Sequence, residues 1–227
     1  MKKDWVIRRL DFALQQYPKR LKRLFTYYFH PFYTKPKLRA FPFILAECFF
    51  LFDMYEIFTN IIKPSVRLLT EKEILRGGEI FGKSIDFNIV MIDEKAHLLT
   101  KHLNVAYVGF NTINSWGKIR KDILIHELVH VWQYQHFGAG YIINALVAQQ
   151  SVAGYNYTKP TAYLIQPASA TKWYEYDTIH QLNAEQQADL VQDYYRLKKG
   201  MSAEWEKKFT VWDIDKFEKF INEIKEV

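Results

Sequence analysis

The stretch Ile125-His126-Glu127-Leu128-Val129-His130-Val131-Trp132-Gln133-Tyr134-Gln135 sets two histidines four residues apart, with a glutamate directly after the first. It lies in a segment from Ile119 to Phe137 with apolar residues at 119, 123, 124, 128, 131 and 132, which predicts a helix stopped by Gly138. On that helix His126 and His130 share a face, their Cβ atoms roughly 5 to 6 Å apart, so both imidazoles can aim at one ion. Glu127 sits where its carboxylate can reach a metal-bound water without being a ligand, as a general base requires.

Downstream, Asn183 is a candidate N-cap with Gln186 at the third helical position, opening a helix that runs to Lys199 and closes at Gly200. Three residues compete as third metal ligand. Glu185 lies in the first turn of this helix, and Asp189, one turn on, is placed to orient a ligand histidine through its other ring nitrogen. His136 has the spacing of a third histidine ligand, but with Gln133 rather than glycine before it the helix continues and turns it about 120° off the His126 face. His180, in the loop before the second helix, suits a donor to a developing oxyanion better than a ligand, with Tyr174 and Tyr176 as rivals.

Upstream, Ile80, Phe81, Ile85, Phe87, Ile89, Val90 and Ile92 read as strands after Gly78, and Asn104 to Asn111 as a further strand. The expected fold class is therefore α+β: a small mixed sheet packed on the two-histidine helix and on the glutamate helix. Residues 1–76 read as a basic helical extension and 77–227 as the domain proper, with a last amphipathic helix around Phe217, Phe220, Ile221 and Ile224.

Residues 78 to 199 resemble a gluzincin-type zincin. More narrowly, the stretch quoted above together with Glu185-Gln-Gln-Ala-Asp-Leu-Val-Gln-Asp-Tyr-Tyr195 is similar to compact bacterial metallopeptidases of the minigluzincin-like and Vgr-related groups. The resemblance implies zinc held by His126, His130 and Glu185, Glu127 as base, Asp189 supporting a ligand histidine, and peptide-bond hydrolysis. It also implies an edge strand, with Val105, Tyr107 and Gly109, that pairs with an extended peptide. The insert Tyr141 to Gln181 would wall the cleft, cover it or simply pack.

Composition narrows the setting. A formal charge of +6 is concentrated early, in Arg8, Arg9, Lys19, Arg20, Lys22 and Arg23 among others, and reads as the solvated face of amphipathic helices. It permits weak contact with a membrane surface, and no nucleic-acid partner is expected. Phe41 to Ile62 is apolar, but Glu47, Asp53 and Glu56 interrupt it, so a buried helix is expected rather than a span. Cys48, the single cysteine, should be a buried thiol. No signal peptide is visible, which makes the cytoplasm the default, with export by a dedicated secretion system as the other route. The alternative to an enzyme is a zinc-binding, catalytically silent interaction protein, a secretion-system accessory or a membrane-surface partner.

Overall fold

The computed structural model describes residues 2–26, 37–97, 100–103, 105–160 and 172–227. Helices α1 (Lys2–Thr26), α2 (Lys37–Cys48) and α3 (Leu51–Ile62) come first, followed by β1 (Val66–Leu68) and α4 (Glu71–Phe81). After β2 (Met91–Asp93) and the single turn α5 (Thr100–Leu103), the hairpin β3 (Tyr107–Gly109) and β4 (Thr112–Asn114) leads into α6 (Lys121–Phe137). Helices α7 (Tyr141–Gln149), α8 (Ala184–Lys198) and α9 (Asp215–Glu226) complete a mixed α+β fold.

The sheet has the order β1-β2-β4-β3, with β2 and β4 parallel and both outer pairs antiparallel. Strands of three residues cannot stand alone, so the sheet depends on what covers its two faces. The register aligns Val108, Ile113 and Ile92 in one row. Ile92 and Ile113 are buried in the main core with Leu124 and Leu128 of α6. Side chains alternate along a strand, so the neighbouring Met91 points the other way and packs with Trp5 of α1 and Ile57 of α3. The sheet is thus sandwiched between α6 and the N-terminal helices. Every residue of α6 from Leu124 to Gln135 is buried, because α8 closes on the side away from the sheet.

The segment after Gly77-Gly78 differs from the expected strands. A capping box at Thr70 and Glu73 starts α4, which passes through both glycines and carries Ile80 and Phe81 as its buried face. The glycines look like punctuation, yet Gly77 is a packing residue: a Cβ there would sit 2.6 Å from Phe87 Cε1. Phe87–Ile89 form one tight 3-10 turn, and of the run only Met91–Asp93 is a strand. The expected strand from Asn104 to Asn111 shortens to β3 because Phe110 takes a left-handed conformation, φ 63°, and turns the chain into β4. Asn104 itself, and 161–171 of the insert, lie outside the described residues.

The N-terminal helices are inverted relative to expectation. Phe50, left-handed at φ 57°, breaks the Phe41 to Ile62 stretch into α2 and α3. Glu47, Asp53 and Glu56 point inward, while Phe49, Leu51, Met54, Tyr55, Phe58 and Ile62 are exposed. The cause lies in α1, whose Arg9, Arg20 and Arg23 are buried rather than solvated. Arg9 reaches Glu56 at 2.6 Å and Asp53 at 3.1 Å, Arg20 grips both oxygens of Asp53, and Arg23 reaches Glu47 at 2.8 Å. Glu56 also accepts from the Asn111 backbone and the Thr112 hydroxyl, which ties this ion cluster to the β3–β4 turn. Among the described residues no helix is long and apolar enough to cross a membrane. Cys48 is buried and free.

Candidate metal centre

Two helices build the site, and local chemistry fixes both. Asn183 caps α8 by accepting from the Gln186 amide, while the Gln186 side chain accepts from the Asn183 amide, a reciprocal cap that sets the first turn and hence Glu185. The unbroken α6 presents His126 and His130 to that turn, their rings 5.0 Å apart. Glu185 Oε2 lies 3.5 Å from His126 Nε2 and 3.3 Å from His130 Nε2. All three side chains are buried, and their ligand atoms lie within 4.8 Å of one another, so the cluster can hold a metal ion.

Each histidine is held by its far nitrogen. His126 Nδ1 lies 2.8 Å from Asp189 Oδ1, and Asp189 Oδ2 in turn accepts from Trp205 Nε1. His130 Nδ1 donates to Gln133 Oε1 at 2.8 Å, and the Gln133 amide nitrogen donates to the Ala184 carbonyl and to Gln187. With both Nδ1 atoms acting as donors, each Nε2 keeps its lone pair turned toward Glu185. Glu185 Oε1 accepts from Gln149, whereas Oε2 is buried without a hydrogen bond. An orphaned carboxylate oxygen facing two imidazole lone pairs is the mark of a cation site, since burial of such a group is costly unless something shares its charge.

Electrostatics show how strongly the pocket couples its charges. Burial works against the charged form of all three groups, but the neighbouring imidazoles, when protonated, hold Glu185 well below the usual carboxylate range. Likewise Asp189 and Glu185 hold His126 well above the usual imidazole value against the pull of burial. Glu127 is different: burial pushes its carboxyl up, and its Oε2 has no hydrogen-bond partner. It opens with His126 on a cleft of about 460 Å³ whose wall includes Val105, Trp116, Tyr155 and Asp189.

The structure thus brings His126, Glu127, His130, Glu185 and Asp189 together. It does not bring His180 to them. That ring stacks on Trp132 at 6.3 Å and meets Phe137 edge-on. Trp132 lies six residues after His126, about 240° around the helix, so His180 sits behind α6 and not over the cleft. Tyr174 packs on Trp173, and the Tyr176 ring is buried away from the cleft wall. Of the strand residues, Val105 lines the cleft and β3 is an edge of the sheet, but Tyr107 shares its sheet face with Asp93, and Gly109 is not part of the cleft wall.

Sequence reading missed four participants. Gln133 stands three residues after His130 on the same face, a legible position. Gln149, Tyr155 and Trp205 come from the insert and the segment after α8, and no spacing announces them. Tyr155 places its ring 6.0 Å from that of His126.

His136 donates through Nε2 to the Ser84 carbonyl, and burial lowers its pKa below the usual value of about 6.5. A histidine that resists protonation in the folded state loses stability as pH falls below its unfolded value, because the unfolded chain then binds more protons. Wild type should therefore show a larger fall in Tm from pH 7.5 to pH 5.5 than His136→Gln, as measured by thermal melts. Equal falls would remove the assignment.

The geometry defines a buried site of two histidines and one carboxylate, fitted for a metal ion and open on one side to a cleft. In comparisons with known proteins, an alignment 143 positions long that takes in 57% of the chain is 32% identical to the type VI secretion system spike protein VgrG2b of Pseudomonas aeruginosa, of which it covers 13%. The similarity is thus to a small part of a much longer protein. No protein family matches the chain, and no solved structure does.

Proposed function

We propose that the chain is a zinc-dependent peptidase of the gluzincin type. The observation that carries this reading is the convergence of His126 Nε2, His130 Nε2 and Glu185 Oε2 beside Glu127, whose Oε2 is unpartnered and which lines the cleft together with His126. Zinc is favoured because two neutral imidazoles and one carboxylate are the donor set of catalytic zinc sites. In a tetrahedron with arms of about 2.05 Å, neighbouring donors lie about 3.3 Å apart, against the 3.3 and 3.5 Å from Glu185 to the two histidines. A bound zinc ion supplies Lewis acidity and a water acidic near neutral pH.

The chain's own residues do the rest. Glu127, its carboxyl raised by burial, takes a proton from the attacking water and delivers it to the leaving amine. Asp189 and Gln133 hold the two imidazoles in the tautomer that leaves Nε2 free. β3, an edge strand whose neighbour Val105 lines the cleft, offers backbone groups to an extended peptide. Tyr155 takes the oxyanion-donor role in place of His180, because it lines the cleft beside His126 and Glu127. Replacing Tyr155 by Phe is expected to lower kcat about a hundredfold to a thousandfold with KM and metal content nearly unchanged, and an unaltered kcat would cancel the role.

Elemental analysis of wild type beside Glu185→Ala, both without a polyhistidine tag, tests the centre. One zinc per chain in wild type and a loss in the variant support it; wild type without metal would overturn it. The partial likeness to a secretion spike protein favours a second reading, a metal-holding secretion partner with no catalysis, which also bears on location: such a chain would leave the cytoplasm through that machinery. Stoichiometric zinc with no cleavage of any member of a broad peptide library would select it.

A further inference from the structure

The loop from Trp116 to Arg120 that feeds α6 has two sides. On one, Lys118, Ile119 and Arg120 help to wall the cleft that holds His126 and Glu127. On the other, Lys118 and Ile119 border two adjoining depressions of about 860 and 910 Å³, which also share Lys72, Arg76 and Lys121. The metal cleft and this groove therefore adjoin across a single loop.

The groove is cationic in a way that the fold does not compensate. Its carboxylates are mostly spent on its other cations, Glu79 on Lys199, Asp122 on Arg120, and Glu73 and Glu94 on Arg67, with Asp122 also reaching Arg196 outside it, so the remaining cations are left without partners. Among the described residues Lys72, Arg76, Lys118 and Lys121 have no carboxylate partner, and Glu71 alone of the lining acids is unpaired against them. Lys72 and Arg76 stand one turn apart on α4, on the same side of that helix. Arg120 and Lys121 stand at the N-terminus of α6, where the helix dipole disfavours positive charge. Three elements thus bring like charges, largely exposed and with few carboxylate partners, to one concavity.

We propose that this groove binds an acidic segment of the polypeptide substrate and thereby selects it. The inference rests on the peptidase reading above. Lys121 precedes His126 by five residues, about 7.5 Å along the helix axis. An extended chain advancing about 3.3 Å per residue then places its acidic residues roughly two to five positions from the scissile bond. A nucleic acid fits less well. Its unbroken run of phosphates would also face Glu71, Glu73, Glu79 and Glu94, and of the lining residues only Tyr195 offers an aromatic ring for a base.

The test is binding rather than turnover. Zinc-loaded Glu127→Gln protein is titrated, by fluorescence anisotropy, with labelled peptides of equal length bearing an acidic flank, its Gln/Asn counterpart or a lysine flank, and with single-stranded DNA of matched charge. The acidic peptide is expected to bind about tenfold tighter than the neutral one at low salt and to lose that margin at high salt. Adding Lys72→Glu, Lys118→Glu and Lys121→Glu should abolish the preference with zinc content unchanged; where that variant does not fold, the three changes to Gln serve instead. Equal binding of acidic and neutral peptides, or a preference that survives the substitutions, overturns the proposal, and tighter binding of DNA than of the acidic peptide assigns the groove to nucleic acid instead. Selective acidic-peptide binding beside a wild type that cleaves nothing would sink the peptidase reading and leave the groove standing.

Discussion

Glu127→Gln protein is expected to keep its metal and to lose about two to four orders of magnitude in turnover, the range that a positioned general base contributes. Glutamine preserves volume and one acceptor oxygen, so the pocket between α6 and the cleft should not collapse. It cannot carry a proton from water to the leaving amine. The wild-type carboxylate is prepared for that task by its surroundings: burial raises its pKa, and Oε2 makes no hydrogen bond within the protein. What sets this oxygen apart is its place: Glu127 lines the cleft beside His126, where a water can supply the missing partner. Peptide hydrolysis followed alongside zinc content separates the outcomes. Lost turnover with retained zinc supports the base; retained turnover removes Glu127 from that role, and joint loss of zinc would show that it holds the site together instead.

What could be read from the amino-acid sequence follows the range of the interactions concerned. The two-histidine helix, the Asn183 cap and the position of Glu185 and Asp189 are local matters, set by residues within one or two turns. The structure brings the four side chains together, the spacings placing them on one face of each helix and tertiary packing joining the two faces. The residues after Gly78 read as strands because a helix and a buried strand both want apolar residues at that density. The Thr70–Glu73 cap, a local signal four residues long, decides for the helix. His180 and Tyr155 illustrate the other limit. Which of two residues in a long insert reaches the cleft depends on how the chain returns across α6, and neither periodicity nor spacing carries that information.

The N-terminal helices made the hardest case, because their charges look solvent-facing one helix at a time. Arg9, Arg20 and Arg23 of α1 have their partners in Glu47, Asp53 and Glu56, more than twenty residues on, and only the pairing turns both sets inward. The arrangement predicts a large effect. Asp53→Asn leaves Arg9 short of one partner and Arg20 with no bidentate carboxylate, in a place where neither guanidinium can reach water. Breaking a buried pair from one side costs about 3 to 5 kcal/mol, so the midpoint of urea unfolding should fall steeply. The double replacement Arg20→Met with Asp53→Leu removes both buried charges, the larger leucine partly offset by the shorter methionine, and should recover part of that loss, as apolar substitutes for buried ion pairs do. If the double variant is no more stable than Asp53→Asn, the energy resides in the wider network of Arg9, Glu56 and the β3–β4 turn rather than in this pair. If Asp53→Asn itself is neutral, the cluster does not hold the N-terminal helices against the sheet.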